Sequence, residues 1–247
     1  MKYCEHYTVK WHDTDANRMV TPSHILAYMQ ETANRHLASN GMTLDQLRDR
    51  YGLAFLLSRI TMQIYLPLHA DEEITVQTWV CDSRGLSFLR CFRILRDEDV
   101  VAEAYSVWAL LSLSEQKLMP VTAFPYQIEP DPVLEGAITA RVKMLPLSQM
   151  ESAGSRKIVY SDIDYNGHMN NTHYPNMLCD FIPSIRDLRV TGMTLSFLHE
   201  AAFGHVLDVR RAVGEDGALF FRTLNEDGVV CLEARVLTEP LEGALPK

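Results

Sequence analysis

Residues 161–174 read SDIDYNGHMNNTHY, and residues 12–24 read HDTDANRMVTPSH. With Asp13 set on Asp162, an offset of 149 residues, Asp15 falls on Asp164, Asn17 on Asn166 and His24 on His173. Met19 falls on His168. Each segment follows a short apolar stretch, YTVKW at 7–11 and KIVY at 157–160, and each precedes a pattern that predicts a helix.

The first helix has the clearer signal. Thr21 suits an N-cap and Pro22 the first helical position. Ile25, Met29, Ala33 and Leu37 recur every fourth residue with Leu26 beside them, which is one apolar stripe. Asn40-Gly41 supplies a stop. The second helix is expected over about 171–182, with Pro175 in its first turn, Pro183 ending it, and Met177, Leu178, Phe181 and Ile182 on its buried side.

After each helix the pattern turns to strands. The first half carries AFLLSRITMQIYLPL (54–68), EITVQTWVCDS (73–83), LSFLRCFRIL (86–95) and VVAEAYSVWALLSL (100–113). The second carries RVTGMTLSFLHE (189–200), HVLDVRRAVG (205–214), ALFFRTLN (218–225) and VVCLEARVLT (229–238). Turn signals at Ser83-Arg84-Gly85, Arg96–Asp99, Asp216-Gly217 and Asp227-Gly228 separate them. Each half is thus a strand, a helix and about four strands, an internal duplication of α+β units. A long buried helix followed by antiparallel strands suits a curved sheet wrapped around that helix. Five prolines in 116–150 predict a linker, drawn at 126–150 between halves at 1–125 and 151–247.

Composition narrows the function. A net charge of −9 argues against general nucleic-acid binding, which needs a basic footprint. No run approaches the ~20 apolar residues of a membrane span. The N-terminal MKYCEHYTVKWHDTD shows neither a signal core nor a transit pattern. The five cysteines form no CxxC pair, which suits reduced thiols in a cytoplasm. Neither a metal nor another cofactor is expected, because Cys and His do not fall at ligand spacing.

The string DxNxHxNN at 164–171, the duplicated helix-plus-strands plan, and TWV at 78–80 with SVWALL at 106–111 resemble the acyl-acyl carrier protein thioesterases of plants and bacteria. The resemblance covers essentially the whole chain. It implies a double hot-dog fold and hydrolysis of fatty acyl thioesters on acyl carrier protein. The missing transit pattern makes the chain look like a bacterial member. The family's catalytic Asp, Asn and His carry over to Asp164, Asn166 and His168, and its later carboxylate to Glu200. Plant members often have Cys after that Glu; here the residue is Ala201, which puts a cysteine nucleophile in doubt.

If 164–168 is extended, Asp164, Asn166 and His168 point the same way. An imidazole ordinarily changes charge near neutral pH, which makes His168 the natural base or proton shuttle. Asp164 would orient it, and Asn166 would hold water or the thioester oxygen. Parity along 193–200 sets Glu200 on the face of Thr194 and Ser196, as a second carboxylate. The primary base stays open between His168 and Glu200. Free N–H groups at the start of the following helix offer an oxyanion site. Asp162, Asn170 and Asn171 read as caps and turn formers. With Met19 in place of the imidazole, the first half reads as an acyl-binding half. Ile25, Leu26, Met29 and Ala33 would line its slot or simply form core.

Two other functions fit the same residues, an acyl-coenzyme A thioesterase and a non-catalytic acyl-thioester sensor. Arg84, Arg90, Arg93 and Arg96, with Arg210 and Arg211, offer a basic patch for an acidic carrier protein. The fused pair leaves monomer and homodimer both open.

Overall fold

The computed structural model describes residues 2–126, 128–137 and 141–241. The parts of the expected linker at 127 and 138–140, and the tail at 242–247, lie outside the described residues. The chain divides into two compact units, one of Met1–Val20 with His24–Thr139, the other of Thr21–Ser23 with Ala140–Lys247.

The first unit runs β1 (Tyr3–Thr8), α1 (Pro22–Ser39), α2 (Leu44–Tyr51), β2 (Leu53–Ile64), β3 (Glu73–Arg84), β4 (Ser87–Arg96), β5 (Asp99–Ser112) and β6 (Lys117–Met119). The second runs β7 (Glu151–Lys157), α3 (Tyr174–Cys179), β8 (Leu188–Phe197), β9 (Val206–Val213), β10 (Leu219–Leu224) and β11 (Val230–Pro240). In the first, antiparallel pairing gives the order β1-β3-β4-β5-β2, with the short β6 against β5. In the second, it gives β7-β9-β10-β11-β8. Position for position the two orders are the same, so the echo between the halves extends from the polar segment to the whole topology.

The eight expected long strands are present within a few residues at each end, because β-branched and aromatic runs bounded by turn residues leave little alternative. Helix α1 starts at Pro22 and buries Ile25, Leu26, Met29, Thr32, Ala33, His36 and Leu37. The stripe faces the sheet. The Tyr7 ring lies 5.0 Å from that of Tyr28, the Tyr7 hydroxyl is 3.0 Å from Thr32 Oγ1, and Tyr3 stacks on His36. Leu37 closes a cluster with Met42, Leu47, Leu53 and Leu110.

Three expectations change. Helix α2 is an element the strand reading passed over. Its capping box is complete, with Thr43 Oγ1 accepting from Gln46 N–H and Gln46 Oε1 from Thr43 N–H. It ends at Gly52, whose φ of +64° only glycine adopts at little cost. The second helix is shorter than expected: Asn171–His173 is a 3-10 turn, and the α-helix is confined to Tyr174–Cys179. Residues 131–137, inside the expected linker, pack on the outer side of β3 and β4. There Trp79 Nε1 donates to Pro132 O, Asp131 N–H donates to Val80 O, and Leu134 joins Trp79, Cys81, Cys91 and Tyr105. That cover explains why Trp79 and Cys81 are buried on the face of β3 opposite Ile74 and Val76. Among the described residues, no helix is long and apolar enough to cross a membrane.

Candidate active site

The DxNxHxNN segment is a turn, not a strand. Ile163 and Met169 form an isolated antiparallel bridge, and the residues between them close on themselves. Asp164 N–H donates to His168 O at 3.0 Å and Gly167 N–H to Asp164 O at 3.0 Å. Asp164 Oδ1 accepts from Asn166 N–H at 2.8 Å, and its Oδ2 lies 3.4 Å from Asn166 Nδ2. This is an Asx turn, the local use to which Asp is most suited. Gly167 sits at φ +86°, where a side chain would be strained. Parity along an extended chain therefore does not align the three side chains. The Asp164 carboxylate holds Asn166, and the hydrogen bond from Asp164 to His168 runs through the backbone.

Below the turn, Asp162 is buried and heavily bonded. It accepts from Arg156 at 2.8 Å and from Val159 N–H at 2.8 Å, and His173 Nδ1 stands 3.8 Å away. Asn170 caps the 3-10 turn, its Oδ1 accepting from Thr172 N–H at 3.0 Å and Thr172 Oγ1 at 2.9 Å. The cap reading for Asp162 and Asn170 holds. The oxyanion expectation loses its Thr172 N–H to that cap, and the α-helix that follows is six residues long.

Glu200 reaches His168 by a different route from the one expected. β8 ends at Phe197, so strand parity does not extend to residue 200. Instead the chain bends, and Ala202 bridges His168 while Met169 N–H donates to Ala201 O at 2.9 Å. Further along, Gly204 N–H donates to Ile158 O, and Ile158 N–H to His205 O. These bonds bring His168 Nε2 to 2.9 Å from Glu200 Oε2. Both groups stay open to solvent, with 37% and 59% of their side chains exposed. Ala201, in the family's cysteine place, is buried. His199 is a structural residue, its ring Nδ1 held at 2.8 Å by Val230 O.

The sequence reading passed over two side chains in the same loops. Tyr165 is 66% exposed and Phe203 64% exposed. Large aromatic rings in a polar turn and beside a glycine were the available signal, since such residues are ordinarily buried.

The first unit repeats the turn bond for bond. Asp15 N–H donates to Met19 O at 2.8 Å, Arg18 N–H to Asp15 O at 3.0 Å, and Asn17 N–H to Asp15 Oδ1 at 2.8 Å. Thr14 and Val20 form the matching bridge. Arg18 takes the place of Gly167, at φ +62°. Asp13 is buried like Asp162; it accepts from Lys10 N–H and the Tyr28 hydroxyl, and His24 Nε2 stands 3.5 Å away. Ile25, Leu26, Met29 and Ala33 are buried on the α1 stripe.

The expected basic patch is largely neutralised. Arg84 pairs with Asp82, Arg93 with Glu103, Arg96 with Glu72, Arg210 with Asp208 and Arg211 with Glu151. Among the described residues, no group of three or more His, Cys, Asp and Glu side chains is disposed to hold a metal ion.

Residues 1–124 match the acyl-ACP thioesterase N-terminal domain, and residues 148–236 the acyl-ACP thioesterase C-terminal domain. A chloroplastic acyl-[acyl-carrier-protein] hydrolase of Cuphea viscosissima is 23% identical over 233 residues, covering 86% of this chain and 55% of that protein. A chloroplastic palmitoyl-acyl carrier protein thioesterase of Arabidopsis thaliana is 22% identical over 225 residues, covering 85% and 54%. The chain thus spans just over half the length of these curated relatives. Among solved structures, an acyl-ACP thioesterase from Bacteroides thetaiotaomicron superposes with a TM-score of 0.84 at 22% identity, over 96% of this chain and 98% of that one. A 12:0-ACP thioesterase from Umbellularia californica gives 0.83 at 16% identity, over 97% and 98%. These likenesses establish the fold as two tandem hot-dog units. With both of the family's domains matched in order along it, the chain belongs to the acyl-ACP thioesterase family.

Proposed function

We propose that this chain hydrolyses the thioester between a fatty acyl group and acyl carrier protein, releasing the free fatty acid, with His168 and Glu200 as its acid–base pair. The contact of 2.9 Å between them carries the proposal. The sulfur of the carrier arm leaves as a thiolate, whose conjugate acid has a pKa near ~8.5, so the leaving group needs little protonation. What the reaction needs is an activated water and a stabilised oxyanion. One member of the pair takes the proton of a water as its oxygen attacks the carbonyl carbon. The other steadies the charge that results. The C–S bond then breaks and the thiolate departs. Asn166, held in the turn by Asp164, is the group assigned to the water or the thioester oxygen.

The division of labour is part of the proposal. The second half, residues 151–247, carries the chemistry. The first half, residues 1–125, takes the acyl chain along the stripe of Ile25, Leu26, Met29 and Ala33. Tyr165 and Phe203 are exposed in the loops of the pair, and they are the apolar surface a thioester arm meets first. Five free thiols fit a reducing, cytoplasmic setting. A homodimer in solution belongs to the same proposal, and light scattering of the full chain tests it.

The deciding experiment is hydrolysis of a panel of acyl-carrier-protein and acyl-coenzyme A thioesters of several chain lengths. Faster turnover of the carrier-protein thioesters is the expected result. Turnover of coenzyme A thioesters alone would replace the carrier, and turnover of neither would leave a binding protein.

A further inference from the structure

The inner face of the first sheet changes character at one end. On β3 the side chains facing α1 are Ile74 and Val76, on β4 Phe92 and Ile94, on β5 Ala102 and Ala104, and all six are buried. Two residues further along that face, the same strands carry Thr78, Arg90 and Ser106; Arg90 sits between Ser106 on β5 and Val80 on β3, and Thr78 lies opposite Phe92. A polar layer with a cation in it follows directly on an apolar one.

Arg90 Nη1 donates to His36 Nδ1 at 3.1 Å and to Thr78 Oγ1 at 3.0 Å. Ser106 Oγ donates to the Arg90 carbonyl at 3.0 Å. Both partners of the guanidinium are neutral. Burial, and then the neighbouring guanidinium, push the His36 pKa down to about 4, so the imidazole is uncharged at neutral pH. Desolvation brings Arg90 down to about 10, which leaves it a cation there. Among the described residues, no carboxylate forms an ion pair with Arg90, although Arg93 and Arg96 on the same strand each have one, at 2.6 and 3.0 Å. A desolvated charge without a counter-charge is costly, and an incoming anion removes that cost. Thr78 and Ser106 have no exposed surface and His36 is buried, whereas Arg90 is only partly buried. Arg90 is therefore the residue of this layer that is not wholly closed off, while its guanidinium is deeply desolvated. With Nη1 occupied, its Nε and Nη2 edge keeps the planar fork that fits a carboxylate.

We propose that the first unit binds a long-chain carboxylate, with Arg90 holding the carboxylate and the apolar layer between sheet and α1 taking the chain. The carboxylate is that of a free fatty acid or one at the far end of an acyl chain; the chemistry at Arg90 is the same. This goes beyond the hydrolytic reading, and its assay needs no turnover, so either can fail alone.

The test is equilibrium binding of dodecanoate and of dodecan-1-ol, its neutral counterpart, to the full chain at neutral pH. The expected result is a preference for the acid of about tenfold or more, as a charge-assisted hydrogen bond gives. Arg90→Gln removes the preference and leaves the alcohol's affinity unchanged; Arg90→Lys keeps part of it. The two sources separate in a second arm. If the carboxylate is the acyl chain's own, Arg90→Gln slows hydrolysis of a thioester bearing a terminal carboxylate but not of its methyl-ended analogue. If it is a free acid, dodecanoate inhibits the wild type more strongly than the variant. No acid preference in the wild type would overturn the proposal with no variant required, and so would a preference that survives Arg90→Gln.

Discussion

Met19 holds in the first unit the backbone position that His168 holds in the second. The Met19 carbonyl accepts the N–H of Asp15 at 2.8 Å, and the His168 carbonyl accepts that of Asp164 at 3.0 Å. One turn is built twice, from Asp, Asn and the carbonyl two residues beyond the Asn, and only one copy ends in an imidazole. The acidic and amide residues of DxNxHxNN are thus enough to make the turn, and His168 is what the second copy adds. His168→Ala should lower turnover by roughly 10²–10⁴-fold, the range of a general acid–base group. Its side chain is partly exposed, so no core cavity follows and the melting temperature should stay close to that of the wild type. Met19→Ala should leave the chemical step unchanged. Steady-state rates on one acyl-carrier-protein thioester, with thermal melts of each variant, check the pair.

Glu200 and Asp164 separate a charge from a turn. Glu200→Gln keeps size and one hydrogen bond to the imidazole but removes the charge 2.9 Å from it. Turnover should fall about 10²-fold or more, by a similar factor for every chain length. Asp164→Asn keeps an oxygen to accept the Asn166 N–H, so most activity should survive, whereas Asp164→Ala opens the Asx turn and should cost far more. Equal losses in Asp164→Asn and Asp164→Ala would make the Asp164 charge, not its turn, the catalytic requirement.

The eight long strands and α1 were legible because their signals are local: β-branched runs, turn glycines and an i+4 stripe. The duplication was legible from a handful of residues at one offset. What escaped was set by contacts distant in sequence. Nothing in 161–174 announces that Ala202 will bridge His168, yet that bridge, with the bend after Phe197, is what aims Glu200. Parity failed there because the strand stops three residues before the carboxylate. The extended reading of 164–168 failed because Asp164 spends its side chain on its own turn, which the Asp-x-Asn-Gly order had already signalled. Helix α2 was missed although Thr43 and Gln46 spell a capping box and Leu44, Leu47 and Tyr51 fall at i, i+3 and i+7, since the pattern spans barely two turns and buries only Leu47.

No cysteine should be needed. Ala201 fills the position that holds Cys in many plant members of the family, and its surroundings are closed to solvent. Cys81, Cys91 and Cys231 are buried as well, and burial raises the Cys231 thiol pKa, which disfavours a thiolate. A variant with all five cysteines changed to Ala should keep its turnover per folded molecule. An acyl-cysteine adduct trapped on the wild type would defeat this.

Met29 has no exposed surface and lies mid-stripe on α1. Met29→Trp must take its extra volume from whatever the stripe faces. If that is the acyl slot, the preferred chain shortens while short thioesters are still cleaved. If it is closed core, overpacking costs about 1–3 kcal/mol and the chain-length profile of the surviving protein does not move. The shortened profile is the expected outcome, read from rates across chain lengths normalised to folded protein.

Stability should fall as the pH drops through the range set by His36. Its folded pKa is lowered to about 4, by burial first and the Arg90 charge second, from an ordinary value of 6.5. Between those values the unfolded chain binds a proton that the folded one refuses. Stability therefore rises with pH across the window; the contribution is whole above about 6.5 and is lost on going down towards 4. Going from about pH 7 to about pH 5, this one residue should cost roughly 2 kcal/mol. His36→Asn removes the titration and keeps a neutral acceptor for the Arg90 Nη1 hydrogen bond. Denaturant melts of both proteins at the two pH values give the comparison, since carboxylates common to both cancel in the difference. A wild type that loses no more stability than His36→Asn on acidification would mean that His36 is protonated in the folded chain and that the Arg90 layer tolerates a second positive charge.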